Sequence, residues 1–451
     1  MYLNKVKSAQ LYPYWLLLVI VIFLSNCSTA NDDNSAIDLE NIIPNIEIST
    51  SGNTILDEPK INANIMVYAD DVTLYQGNIA IETRGSSSIG FPKNSYSFET
   101  RNENNEDLDV SLLEFPEEED WILNGPYSDK TLMRNMLMYD LSRDIDRYAS
   151  RSAFVELSIN EELQGVYILL EKLKRGPDRI DIDKLNPDEN SGEDITGGYI
   201  IKIDRTDGAG SFFTSSFDPP FATEGQKMNF VFEYPDPDEI TSQQKNYITN
   251  YISSFESTLA SDDFADPVNG YLKYIDVSSF IDFFLMNELA NNVDAYRLST
   301  FIHKEKNEKL AMGPIWDFNY ALGNVDYCNS GDTNVWAYKF NERCGNHYQQ
   351  VPFWWSKLLQ DPAFVTQLQE RWTKLRSNQF SESKIMAKID AYATLLQETG
   401  AVDKNFSVWE VLGVYVRPNN YVGETHQQEV DYLKEWIENR LLWLDSSISN
   451  M

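Results

Sequence analysis

The chain changes its hydrophobic rhythm part-way along its length. Over residues 46–100 apolar and polar positions alternate in short runs, as in Ile61-Asn-Ala-Asn-Ile-Met-Val-Tyr68 and Ile79-Ala-Ile-Glu-Thr83, separated by Gly and Asn/Asp turns. Period-two alternation puts one face of an extended strand on a core, so this region reads as β-rich. Over residues 129–145, Leu132, Met133, Met136, Leu137, Tyr139 and Leu141 recur at helical spacing behind the cap signal Ser128/Asp129, which predicts one amphipathic helix. Residues 154–159 and 166–170 read as strands around the turn 160–165, and a further strand falls at 199–203. Beyond it helices dominate, with candidates at 243–259, 278–291, 353–375, 382–397 and 424–444. Within that helical half, residues 299–304 and 310–312 flank the charged turn 305–309 and predict a short hairpin.

Composition suits a sizeable folded body. The 451 residues are 42% hydrophobic and 13% aromatic, ample for a large core. No period of about 20–50 residues repeats, which argues against a solenoid or propeller. A formal net charge of −33 excludes the basic footprint that nucleic-acid binding needs, and reads mainly as a solvated acidic surface.

The first 27 residues read as an address. Lys5 and Lys7 precede an apolar run of ten, Trp15 to Leu24, too short to span a bilayer comfortably. Leu24-Ser-Asn-Cys27 resembles a lipobox in which Cys27 becomes the lipidated first residue, although Asn26 replaces the usual small residue. The expected organisation is a leader (1–27), a flexible acidic tether (28–44) and a folded part (45–450), on the membrane through a lipid anchor and displayed at the cell envelope.

Several chemistries lack raw material. Three histidines, His303, His347 and His426, and no Cys/His cluster leave little for a zinc site or a histidine-based triad. There is no Gly-x-x-x-x-Gly-Lys-Ser/Thr for a P-loop. Seventy acidic residues make any pair chosen for glycoside hydrolysis uninformative. In an exported chain Cys328 and Cys344 can close a disulfide loop.

Asp294 in Asn-Asn-Val-Asp-Ala-Tyr-Arg and Asp317 in Gly-Pro-Ile-Trp-Asp-Phe-Asn flank the predicted hairpin. Protein kinases place a proton-accepting aspartate and a magnesium-binding aspartate in this way. Taken alone, Asp317 reads equally well as a helix-cap or loop residue. Order-preserving motifs extend the likeness: Arg84-Gly-Ser-Ser-Ser with Phe91-Pro-Lys-Asn-Ser-Tyr96, Asp120-Trp-Ile-Leu-Asn-Gly-Pro-Tyr-Ser-Asp-Lys130 followed by Arg134-Asn135, Phe154-Val-Glu-Leu157, Gly165-Val-Tyr-Ile-Leu-Leu-Glu-Lys172 and Gly198-Tyr-Ile-Ile-Lys202. Together they resemble the CotH (spore coat protein H) kinase family.

The resemblance implies an α+β, divergent protein-kinase-like, two-lobed fold, with a β-rich N-terminal lobe over about 45–235 and a mainly helical C-terminal lobe over about 236–450. It implies Mg²⁺- and ATP-dependent phosphorylation of a protein acceptor. Asp294 would be the general base and Asp317 the magnesium ligand, with Asn319 and Ser299 as auxiliary ligands. Lys93, Arg84 and Arg134 would meet the phosphates, each with a structural alternative: a strand-edge lysine for Lys93, buried ion pairs to Glu82, Glu99 or Glu171 for the arginines. Glu171 would position a lysine, or cap its strand through Lys172 or Arg175. Asn319 stands where the family often has a second aspartate, and Ser299 where kinases place an asparagine, so metal affinity is expected to be lower. ATP is scarce outside the cytoplasm, which leaves open another donor or a fold that has lost transfer. The rival reading is a surface lipoprotein that binds a glycan or protein through aromatics between Trp336 and Tyr348 and in Phe353-Trp-Trp355; core packing is the plainer account of those rings.

Overall fold

The computed structural model describes residues 41–86 and 88–451. The expected leader with Cys27, and most of the expected tether, lie outside the described residues, which all belong to the compact unit Leu39–Met451.

Seven strands close into a barrel: β1 (Asn45–Ser49), β2 (Ile61–Ala69), β3 (Val72–Arg84), β4 (Ser95–Arg101), β5 (Asp120–Asn124), β6 (Ser152–Ile159) and β7 (Glu162–Glu171), in the order β1-β2-β3-β4-β5-β7-β6. Neighbours are antiparallel except the closing pair, where β1 runs parallel to β6 with Asn45 opposite Glu156. Closure leaves no sheet edge unpaired. The alternating apolar positions fill the barrel: Ile65 and Val67 from β2, Ile79 and Ile81 from β3, Phe98 from β4, Trp121 from β5, Leu157 from β6 and Tyr167 from β7. On the other face of β5–β7, Ile122, Phe154, Val166, Ile168 and Leu170 enter a second, larger core. Burial on both faces explains why 166–170 is a continuous apolar run rather than an alternating one.

That larger core is built on a second sheet, ordered β12 (Leu310–Met312), β11 (Thr300–Lys304), β8 (Tyr199–Ile203), β10 (Asn229–Tyr234), β9 (Phe212–Thr214). Around it pack α1 (Arg134–Arg143), α2 (Ser242–Ala260), α3 (Val277–Ala290), α4 (Phe340–Cys344), α5 (Trp354–Leu358), α6 (Pro362–Arg376), α7 (Glu382–Glu398), α8 (Ala401–Val408) and α9 (His426–Ser449). Helix α3 is buried along almost its whole length and forms the hub; it is mostly apolar, and its buried Asp282 and Glu288 are paired with arginines.

The α+β content, with a β-rich first part and a helical second part, is as expected; the lobe arrangement differs. The N-terminal β structure is a closed barrel. The expected seam near residue 235 falls inside one sheet, because β8, from the first half, hydrogen-bonds to β11 of the hairpin, with Thr300 opposite Ile203. The helix predicted over 129–145 starts only at Arg134, because Asp129 turns the chain first: its carboxylate accepts from the amides of Thr131 (3.1 Å) and Arg134 (2.8 Å). The single helix predicted over 353–375 is two, α5 and α6. Pro362 cannot donate to a preceding turn and instead starts α6 with Asp361 as its cap, Oδ1 accepting from Ala363 N at 2.9 Å. Trp354 and Trp355 are buried in the larger core and Trp336 packs against it, which removes most of the rings that the binding-protein reading required. Cys328 and Cys344 are joined in a disulfide, Cα–Cα 5.8 Å.

Candidate functional site

The loop that follows β12 carries Asp317 at φ +65°, a left-handed conformation that aspartate tolerates better than bulkier residues. Three side chains hold this loop. Asp317 N donates to Tyr139 Oη (3.2 Å) and Phe318 N donates to Asn135 Oδ1 (2.7 Å), both on α1. Asn292 Nδ2, from the turn after α3, donates to Asp317 O at 3.3 Å. The same Asn292 accepts from Asp294 N through its Oδ1 (3.1 Å). One buried side chain thus ties the two aspartate loops together.

Both carboxylates reach a cleft of about 550 Å³ between the barrel rim and the second sheet. The barrel contributes Glu82 and Arg84 at the end of β3, the Gly85-Ser86 turn, and Lys172 just past β7. Gly85 has φ +131° and a Cβ there would meet Ser88 Oγ, so the turn needs glycine. The sheet contributes Lys202, Asp204, Arg205 and Glu233, and the loops contribute Asp294, Ser299, Trp316 and Asp317.

The electrostatics of the cleft are those of crowded carboxylates facing separate cations. Burial pushes the Asp317 carboxyl up to about 7, the charge of Asp294 adds to this, and Arg84 opposes it. Asp204 is raised as well, first by burial. The Arg84 guanidinium lies over the Trp316 ring, 5.7 Å from its centroid, and Trp316 stacks on Tyr139. Among the described residues no carboxylate lies within 4.0 Å of the Arg84 or Arg205 guanidinium, whereas Lys202 pairs with Glu233 (3.0 Å) and Lys172 with Asp120 (3.2 Å). Asp294 is fixed by Arg297, whose Nη2 donates to Oδ1 at 2.7 Å.

The cleft suits a hydrated divalent cation carrying a polyphosphate. Magnesium takes one or two carboxylates and keeps waters and phosphate oxygens for the rest of its shell, and a cation there relieves the repulsion between Asp317 and its acidic neighbours. Among the described residues the group of three acids close enough to share one ion lies elsewhere, at Asp109, Glu118 and Glu119. That group already has a cation, Lys174, 2.7 Å from both Glu118 and Glu119.

The structure brings together Asp294, Asp317, Arg84 and Ser299 of the residues singled out in the sequence. Lys93 stands apart: it is buried beneath the barrel wall, donating to Val166 O (2.6 Å) and Asn405 Oδ1 (2.7 Å) over the Tyr167 ring. Arg134 is buried in an ion pair at 2.5 Å, but with Asp129 and not with Glu82, Glu99 or Glu171, the partners expected for it. Glu171 is fully buried and holds Arg151 (2.9 Å) and Arg179 (3.5 Å), neither of them the partner expected from the sequence. Asn319 does not line the cleft; its carbonyl accepts from Asn324 Nδ2 (2.8 Å). Asn292, Asp204 and Arg205 are not singled out by the sequence, although Asn292 lies inside the Asp294 motif and the other two just past the Gly198–Lys202 motif.

A mixed α+β body with paired aspartates in one cleft, facing guanidinium groups that have no carboxylate partner among the described residues, has the makings of a phosphate-handling protein. The family model described as CotH kinase protein matches residues 81–444, most of the chain, and the chain belongs to that family. The match begins inside β3, so β1 and β2 precede it. A search of curated proteins finds no match.

Proposed function

We propose that the protein transfers a phosphoryl group from Mg-ATP to a protein acceptor. The observation that carries this reading is the meeting of Asp294 and Asp317, tied by Asn292, in a cleft where Arg84 has no carboxylate partner among the described residues. A bound magnesium would neutralise charge building on the β- and γ-phosphate oxygens. In this reading Asp317 holds the ion, Ser299 faces the same space as an auxiliary oxygen, and Arg84 meets phosphate. Asp294, oriented by Arg297, accepts the proton of the attacking hydroxyl. Little covalent work falls to the protein, so positioning and charge stabilisation supply most of the effect.

The melting temperature with and without Mg-ATP tests this directly. A rise of several degrees at millimolar ligand, lost in Asp317→Ala and retained in Asp294→Ala, is expected; no rise in the wild type would sink the proposal. Export on a lipid anchor at Cys27 belongs to the same reading and rests on sequence alone. Its check is the mass of the mature N-terminus, which an unmodified Met1 would refute.

A further inference from the structure

Arg205 is a half-buried arginine on the cleft wall for which no ion pair exists among the described residues. Asp204, its neighbour, turns back onto the backbone, Oδ1 accepting from Arg205 N at 2.8 Å, and so leaves the guanidinium free. Among the described residues the side chain makes one hydrogen bond, from Nη1 to Ser86 Oγ (2.7 Å), across the cleft to the turn that follows β3. Arg205 also lines a small adjoining cavity with Arg297 and Tyr348, the latter 80% exposed. It therefore stands on the Asp294 side of the cleft, whereas Arg84 stands on the Trp316 side. A half-buried guanidinium that no carboxylate neutralises is open to an anion entering the cleft.

We infer that Arg205 is a catalytic residue, contacting the transferred γ-phosphoryl group and not the rest of the nucleotide. This rests on the phosphotransferase reading above. The terminal phosphate must lie between the base that activates the acceptor and the carboxylate that holds the metal, and Arg205 stands on the acceptor side of that position without an ion pair among the described residues. As the acceptor oxygen bonds to the γ-phosphorus, the bond from phosphorus to the β,γ-bridging oxygen breaks, ADP leaves with its electron pair, and the hydroxyl proton passes to Asp294. Negative charge on the three equatorial oxygens then faces the planar fork of Arg205, a donor geometry that lysine lacks.

The experiment compares thermal stabilisation by Mg-ADP and by Mg with the β,γ-imido analogue of ATP in wild type, Arg205→Ala, Arg205→Lys and Ser86→Ala. The analogue should stabilise the wild type more than ADP does. Arg205→Ala should keep its ligand-free melting temperature and its ADP shift but lose the extra shift from the analogue; Arg205→Lys should recover part of it and Ser86→Ala should retain it. Release of labelled γ-phosphate should fall in Arg205→Ala on the order of 10²-fold. An undiminished analogue-over-ADP difference in Arg205→Ala, or equal loss of both shifts, overturns the inference while leaving the phosphotransferase reading standing. No shift with either nucleotide in the wild type overturns both.

Discussion

Arg297 donates Nη2 to Asp294 Oδ1 at 2.7 Å from a side chain that is wholly buried, while the carboxylate it holds is 19% exposed to the cleft. The guanidinium is itself fixed on three more sides: Nε donates to Val293 O (2.8 Å), Nη1 lies 3.2 Å from His347 Nδ1, and the Phe340 ring sits 4.1 Å from its centre. Asp294 therefore has one orientation, and Arg297 is its positioning residue. Arg297→Ala should cost about 2–3 kcal/mol, less than the loss of a fully buried pair because Asp294 can rehydrate. Turnover should drop far more than the Mg-ATP melting shift, since Asp317 is held by other residues. Denaturant unfolding and the two nucleotide assays check this, and equal loss of binding and turnover would count against a positioning role.

The enclosure of Arg297 depends on the Cys328–Cys344 loop. Phe340 lies inside it, Tyr327 and His347 flank its two ends, and their rings face one another at 6.5 Å. The two cysteines are 16 positions apart, and a closed loop of that length is worth roughly 3 kcal/mol. Reduction, or the double change Cys328→Ser and Cys344→Ser, should lower stability by about that amount and reduce turnover through Arg297. The Mg-ATP shift should survive, because Asn135, Tyr139 and Asn292 hold Asp317 from outside the loop. A melting temperature indifferent to reductant would contradict this.

The legible part of the site is the part whose contacts are local. Asp294 and Asp317 lie on either side of one hairpin, so their meeting can be read from a short stretch of sequence. Lys93 cannot be placed that way: its partners Val166 and Asn405 are 73 and 312 positions away, and the motif around it marks a buried residue as readily as a cleft residue. Arg205 is hidden for the converse reason, since it lies just past the Gly198–Lys202 motif and becomes functional only when the β3 turn arrives opposite it. Barrel closure is equally hidden, because it depends on β1 pairing in parallel with β6 more than a hundred residues later.

Lys93 gives a direct test of that distinction. Its amino group is buried with no carboxylate partner among the described residues, and burial pushes it well below the usual lysine range. What it supplies is two hydrogen bonds that join the barrel to α8, where Asn405 Oδ1 also accepts from Val166 N (3.1 Å). Lys93→Met removes both bonds and leaves Val166 O without that donor, at a cost of about 1–3 kcal/mol. The Mg-ATP shift should be unchanged once the lower starting temperature is allowed for. Selective loss of nucleotide binding in this variant would return Lys93 to the phosphate site.

A pH dependence is expected from Glu256 on α2, remote from the cleft. The side chain is buried, accepts from Ser215 Oγ and from Trp354 Nε1 (3.0 Å), and has its carboxyl pushed up to about 6, chiefly by burial. In the unfolded chain the same group titrates near 4.5. Between these values the folded state holds the proton and the unfolded state has lost it, so stability falls as pH rises and the loss is complete above about 6. A shift of this size corresponds to about 2 kcal/mol. Glu256→Gln keeps an oxygen that accepts both bonds and removes the titration. Urea unfolding of the two proteins from pH 4 to 8 should therefore show wild type losing ground to Glu256→Gln by about that amount. Parallel stability curves would mean that Glu256 stays ionised through the range, with Ser215 and Trp354 outweighing the cost of its burial.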